Sequence, residues 1–181
     1  QSVLTRVNSF VKQLGQDYPE VQVAFVYYGD QIEELQETVA GEIQAGTYQR
    51  GEEAEDPQEV TAEEITEEDV MDYLFAKYPD LTGCYGVSGD SVELITETLD
   101  RLEKEDVAVM GFDAEEEEVA AMEEGKVDGL VVQNPFGMGY AAVIAAARAA
   151  CDLNNEAYVN TGYVWMTPDN LESEEIQNML Y

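Results

Sequence analysis

Residues 107–140 read VAVMGFDAEEEEVAAMEEGKVDGLVVQNPFGMGY. The apolar run at 107–112 predicts a buried strand that ends in Gly111-Phe112-Asp113. An acidic helix is predicted at 115–124. A second buried strand follows at 129–133 and ends in Gln133-Asn134-Pro135. Pro135 then opens a new helix, since proline is tolerated in a first turn. Each strand delivers a polar side chain, Asp113 or Gln133, at its C-terminal end. In open α/β sheets, ligands bind in the crevice outside the carboxyl ends of the strands. Asp113 and Gln133 are therefore candidate ligand contacts, and nothing in the stretch resembles a catalyst.

Outward from this stretch the same alternation continues. Apolar residues at Val3, Leu4, Val7, Phe10, Val11 and Leu14 have helical spacing, closed by Gly15 and Pro19. The run VQVAFVYY at 21–28 has strand composition, with Gly29-Asp30 as its terminal turn. A helix is predicted at 31–45 and another at 66–78, the latter opened by the capping-box signature Thr66-Glu67-Glu68-Asp69 and ended by Pro79. A strand at 82–87 runs into the turn Ser88-Gly89-Asp90, and a helix follows at 91–104. After the Ala-rich helix from Pro135 to about residue 153 come an extended segment at 157–165 and a short final helix at 169–180. Strands alternating with helices predict βαβ units and a doubly wound parallel sheet, an α/β fold.

Residues 46–64 break the pattern with Gly46, Gly51, Pro57 and a dense acidic run. They read as a surface insertion or mobile loop. Glu52, Glu53, Glu55 and Asp56 offer hard-cation ligands, but they lack the alternating spacing and the glycine of an EF-hand loop.

Composition narrows the chemistry. The 181 residues are enough for one domain with a core, and hydrophobic content is 45%. Forty acidic and eight basic residues give a net charge of −32. Such a polyanion repels phosphate backbones and anionic lipid, so no nucleic-acid partner is expected for this chain. There is no histidine, which removes Ser-His-Asp and Cys-His catalysis and His-ligated zinc. Cys84 and Cys151 have no metal-type spacing and read as unpaired packing cysteines, one in a buried strand and one near a helix end. No apolar run is long enough to span a membrane, and none of these residues reads as a signal peptide. The chain starts at Gln1, inside an expected helix, and is read as a fragment or a processed product. A doubly wound hydrolase using Asp30 or Asp113 is the enzymatic alternative. No GxGxxG, P-loop or GxSxG motif supports it, and neither a cofactor nor a catalytic residue is expected.

The loops expected at the strand C-termini carry Asp30, Ser88, Asp90, Asp113 and Gln133. Carboxylates and side-chain amides suit a sugar, whose hydroxyls both donate and accept hydrogen bonds. Each residue also has a purely structural use. Asp113 can cap the helix at 115, and Gln133 can bond a hinge backbone. Tyr27, Tyr28 and Tyr140 can stack on a sugar or fill a core. Trp165 reads as core or hinge packing.

The order and spacing of GFDA, the EEGKVDG turn and VVQNPFGMGY resemble the C-terminal lobe of type I periplasmic sugar-binding proteins, the ribose- and galactose-type solute receptors of ABC transporters. The same fold serves as the effector domain of lactose-repressor-type regulators. The resemblance is densest over residues 70–171 and extends more weakly back to Arg6. It implies ligand roles for Asp113, for Gln133, and for Arg6, which stands shortly before Phe10 in RVNSF, where the family carries an arginine. The family's Asn-Asp after the second strand falls on VSGDS, where Asp90 matches and the Asn position is Ser88 or Gly89.

The resemblance further implies that most of the other lobe is missing. Residues 1–134 would form the C-terminal ligand-binding lobe, with 46–64 as its acidic insertion. Residues 135–166 would be a hinge crossing with a helix and strand that normally belong to the N-terminal lobe. Residues 167–181 would be the return and a short helix. The expected function is binding of a monosaccharide or related small polar solute, as a fragment of a substrate-binding protein that serves the membrane permease of an ABC importer outside the cytoplasm, lipoprotein-anchored in its full-length form. The alternative is the effector-sensing domain of a transcription regulator, which would be cytoplasmic, or of a sensor kinase. The apolar residues Phe136, Met138, Val143 and Ile144 then lack a partner, and a homodimer through 135–166 is expected.

Overall fold

A parallel pair of strands needs a crossover of a dozen or more residues, and the predicted helices at 91–104 and 115–124 supply two. The computed structural model describes residues 2–51 and 56–180. It divides into two compact units, Gln1–Thr82 with Thr98–Lys104, and Gly83–Glu97 with Glu105–Tyr181.

The second unit holds the sheet. Strands β1 (Gly83–Tyr85), β2 (Ala108–Phe112) and β3 (Gly129–Gln133) run parallel, and β4 (Tyr163–Met166) adds antiparallel to β3. Their spatial order follows the chain, β1-β2-β3-β4. In register, Cys84 faces Val109, Gly111 faces Leu130, and Leu130 faces Met166. Helix α4 (Gly89–Arg101), whose first nine residues belong to this unit, links β1 to β2, and α5 (Glu116–Glu123) links β2 to β3. Val92 of α4 occupies the space that a Cβ would need at Gly86 and Gly111, so the helix lies close on the strands. That close approach is what glycine permits at Gly111. Val109, Leu130, Val132 and Met166 are fully buried. Apart from Gly129, the residues of alternate register are not buried. Met110 is 40% exposed and Trp165 43%. Burial of the sheet is thus one-sided, where the sequence predicts strands buried on both faces.

Helix α6 (Pro135–Ala150) leaves the end of β3. Asn134 caps it, accepting from the Gly137 N–H at 2.7 Å, and its amide also donates to the Thr161 carbonyl at 2.9 Å. No residue of α6 is buried. Helix α7 (Glu174–Gln177) is far shorter than the predicted final helix, with Ser173 as its N-cap and Ile176 buried.

The first unit is helical. It contains α1 (Ser2–Asp17), α2 (Ile32–Gln44), α3 (Glu67–Lys77) and the last turn of α4. Helix α1 has the expected apolar stripe, yet none of its residues is buried. The α2 and α3 faces are buried at Val39, Ala40, Ile43, Val70, Leu74 and Phe75. The predicted capping box holds. Thr66 Oγ1 accepts from the Asp69 N–H at 3.1 Å, and Asp69 accepts from the Thr66 N–H at 2.8 Å.

Residues 21–28 do not form the predicted strand. They carry no regular secondary structure and lead into a 3-10 turn at Gly29–Gln31, with Val21, Val23 and Val26 exposed. Phe25 stacks on Tyr78 with ring centroids 5.4 Å apart, and the Tyr27 hydroxyl donates to Glu67. Strand composition signals fitness for a pleated, half-buried surface, and that needs a neighbouring strand. The described residues of this unit contain no strand. The described residues of 46–64 make contacts with the rest of this unit. Val60 is 4% exposed, its carbonyl accepts from Gln44 at 2.8 Å, and Arg50 donates to the Glu64 carbonyl at 3.0 Å. Of the hard-cation candidates, Glu52, Glu53 and Glu55 lie outside the described residues.

Candidate functional site

The carboxyl ends of β1 and β2 open onto a cleft of about 410 Å³ within the second unit. Ser88, Gly89, Asp90 and Glu93 line it from the start of α4, and Asp113, Glu115, Glu117 and Glu118 from the end of β2 and the start of α5. The cleft lies where open α/β sheets bind ligands.

Asp113 is held by three local features. Its φ of 74° lies in the left-handed region, uncommon for a non-glycine residue though less so for Asp. Its N–H donates to the Val131 carbonyl at 3.1 Å, which extends the β2–β3 ladder one residue past Phe112. Its carboxylate accepts from Gln133 Nε2 at 2.5 Å. The two residues singled out from sequence are therefore bonded to each other, but only Asp113 lines the cleft; Gln133 reaches it through Asp113. The capping role open to Asp113 falls instead to Glu115. Glu115 and Glu118 form a capping box across the first turn of α5, with Glu118 Oε2 accepting from the Glu115 N–H at 2.7 Å.

Ser88 precedes α4, and Ser91 ties the turn. Ser91 Oγ accepts from the Ser88 N–H at 2.9 Å and donates to the Ser88 carbonyl at 2.8 Å, while the Ser88 hydroxyl donates to Ser91 Oγ at 3.2 Å. Asp90 projects exposed at the cleft rim. Arg6, on α1, and Asp30, in the 3-10 turn, belong to the first unit. Tyr27 is engaged with Glu67, and burial with that bond pushes its hydroxyl pKa up. Tyr140 lies exposed on α6, and the Trp165 ring fills the space over Gly129.

The residue that sequence reading missed is Glu118. It is 5% exposed, and burial pushes its carboxyl pKa up, against the N–H groups of Glu118 and Glu115 that pull it down. Its signal was the E-x-x-E spacing of a capping box, masked within a run of four glutamates. With Asp90, Glu93, Asp113, Glu115 and Glu117 it makes the cleft lining strongly acidic, with no lysine or arginine. Such a lining takes hydrogen-bond donors, hydroxyl groups among them, and opposes anions. Among the described residues no group of His, Cys, Asp or Glu is placed to hold a metal ion, and no helix is long and apolar enough to cross a membrane.

Comparison with known proteins gives a family match. The family described as periplasmic binding protein domain matches residues 13–154. The arabinose-binding protein AraP of Geobacillus stearothermophilus is 20% identical, covers 92% of this chain and 50% of its own, and superposes with a TM-score of 0.62. An ABC transporter solute-binding protein of Agrobacterium vitis, bound with α-D-tagatopyranose, is 22% identical over 63% of this chain and 39% of its own, with a TM-score of 0.59. An ABC transporter, LacI-family transcriptional regulator of Brachyspira murdochii is 22% identical over 63% of this chain and 40% of its own, with a TM-score of 0.51. These likenesses show the fold, one lobe of it, and this chain spans half or less of the length of each. No curated protein matches.

Proposed function

Because the chain belongs to the periplasmic binding protein domain family, we propose that it is a solute-binding module whose ligand is a monosaccharide or a related small polyol. The observation that carries this reading is the Asp113 carboxylate, set at the carboxyl end of β2 by its left-handed backbone and by Gln133, and open to the cleft. Ser88 and Asp90 complete the ligand set drawn from the second unit. Arg6 is implied by the resemblance and Asp30 by the expected end of a strand at 21–28; both lie in the first unit, and neither lines this cleft. The acidic lining favours neutral sugars over sugar acids and sugar phosphates.

In this reading the chain is part of the substrate-binding protein of an ABC importer and works outside the cytoplasm beside a membrane permease. The family and the structural neighbours are binding proteins, which supports binding over catalysis. The similarity to a LacI-family regulator supports a second reading, an effector-sensing domain. A net charge of −32 leaves any nucleic-acid contact of such a regulator to sequence outside this chain.

The test is a thermal-shift and calorimetry panel of D-tagatose, D- and L-arabinose, other pentoses and hexoses, and their phosphates. A ligand that binds only the folded state stabilises it by about 2.7 kcal/mol at a hundredfold excess over Kd. Neutral sugars should raise the Tm and phosphates should not. Asp113→Ala should weaken binding about ten- to a hundredfold, since hydrogen bonds to a charged group contribute about 1.5–3 kcal/mol. No shift across the panel, or an unaffected Asp113→Ala variant, would overturn the reading.

A further inference from the structure

Glu118 is a buried carboxylate in the wall of the cleft, 5% exposed, and it is not among the ligand residues proposed above. Its Oε2 accepts from the Glu115 N–H at 2.7 Å, at the start of the helix that follows Asp113. Its Oε1 stands in the space that a Cβ would need at Gly89, the first residue of α4. Gly89 lies between Ser88 and Asp90, inside the turn that Ser91 closes. One side chain thus bears on both loops that present the cleft's polar groups.

We propose that Glu118 is a positioning residue of the cleft, whose carboxylate holds the 88–91 turn of α4 against the first turn of α5 and so fixes the spacing between Asp90 and Asp113. The proposal rests on the solute-binding reading of this cleft. Two physical effects make the link. A negative group at two helix N-termini is favoured by both macrodipoles, more so when it is shielded from water. Gly89 leaves room for the carboxylate, because the Cβ of any other residue would stand where Glu118 Oε1 now lies. The charge is held at a cost, because burial favours the protonated form. The titratable groups that share the cleft with Glu118 are all acidic: Glu115 at the N-cap and Glu117 in the first turn of α5, Asp90 and Glu93 on α4, and Asp113 at the end of β2. With its pKa raised, Glu118 takes up its proton as the pH falls, and the charge-dependent part of the hold is lost with it.

The experiment is site-resolved amide exchange on the full chain, comparing wild type with Glu118→Ala and Glu118→Gln, joined to sugar binding. The reporters are the Ser91 and Val92 amides, both bonded to the Ser88 carbonyl. Loss of a buried charged acceptor should speed their exchange in Glu118→Ala about tenfold, with Val109 and Leu130 unchanged. Glu118→Gln keeps the acceptor and should restore most of the protection. The remaining gap between Gln and wild type should close as the pH is lowered and Glu118 protonates. Where wild type binds D-tagatose or arabinose, the affinity should fall in Ala and recover in Gln. The proposal is overturned if Ser91 and Val92 exchange as in wild type, or if Ala speeds exchange throughout the sheet without rescue by Gln. Should no sugar bind wild type, the solute-binding reading fails by itself, and the exchange data still decide whether Glu118 holds the turn.

Discussion

Asp113 at φ 74° shows what one residue can reveal and what it hides. A non-glycine residue held in the left-handed region costs of order 1–3 kcal/mol and persists where its surroundings fix it. Here the fixing comes from the Val131 carbonyl and from Gln133. Asp113→Gly should therefore lose the side-chain bond but gain backbone relief, leaving stability within about 1 kcal/mol of wild type. Asp113→Val adds β-branched strain to the same loss and should destabilise by about 2 kcal/mol or more. Chemical denaturation of the two variants measures the difference, and equal stabilities would refute it. The candidate pair Asp113 and Gln133 was legible because both stand at strand ends in an α/β pattern. Their mutual bond was not, since it depends on a backbone angle that sequence does not announce. The cysteines give a second test at this scale. Cys84 is free and burial raises its thiol pKa to about 11, while Cys151 is free and exposed at the end of α6. The thiolate is the reactive form, so a thiol reagent near pH 8 should label Cys151 promptly and Cys84 only as the protein unfolds. Two equally fast thiols would contradict the partial burial of Cys84 in β1.

Among the elements, those whose signal is local were read well. β3 occupies the predicted 129–133, and α3 starts where its capping box places it. A cap and a short apolar run carry their instructions within a few residues. The run at 21–28 has equal strand composition but depends on a neighbour that no local pattern can supply. Among the described residues, the main chain of 22–27 makes no backbone–backbone hydrogen bond; the flanking bonds run from the Val21 N–H to Tyr18, the Gln31 N–H to Tyr28 and the Ile32 N–H to Gly29. The amides of residues 22–27 should exchange rapidly, near the rate of an open chain, while those of 130–132 are protected. Slow exchange at 22–27 would mean that the segment pairs as a strand after all. An extended segment is expected at 157–165, and β4 falls at its end, but its antiparallel direction was not legible for the same reason. Its four residues have strand composition, but their direction is set by the path from α6 through 151–162, a stretch with no regular element.

For the whole molecule, the distribution of charge matters more than its sum. Between residues 134 and 168 the only charged residues are Arg148, Asp152 and Glu156, in a chain that carries forty acids. Among the described residues, the same stretch bears the most exposed large apolar side chains: Phe136 is 81% exposed, Val143 69% and Tyr140 64%. A patch that is both apolar and nearly uncharged is suited to burial, because covering it brings few carboxylates together. A second copy of the chain meets that condition, and we propose a homodimer through α6 and the residues after it. Each large apolar side chain fully buried contributes about 1.5–3 kcal/mol, against roughly 4–15 kcal/mol of lost freedom on association. A handful of such side chains on each partner yields a dimer of modest affinity. The −32 charge on each chain opposes it at long range. Sodium chloride shortens that repulsion to about 3 Å at 1 M, so light scattering should find mass rising toward twice 20.1 kDa as salt is raised. Salt alone does not locate the interface, because it screens every acidic surface of the chain. Val143→Glu does, since it sets a carboxylate opposite its own copy in a two-fold contact. That variant should stay monomeric at high salt. If wild type is monomeric at both ionic strengths, or if Val143→Glu dimerises as wild type does, the interface is not on α6.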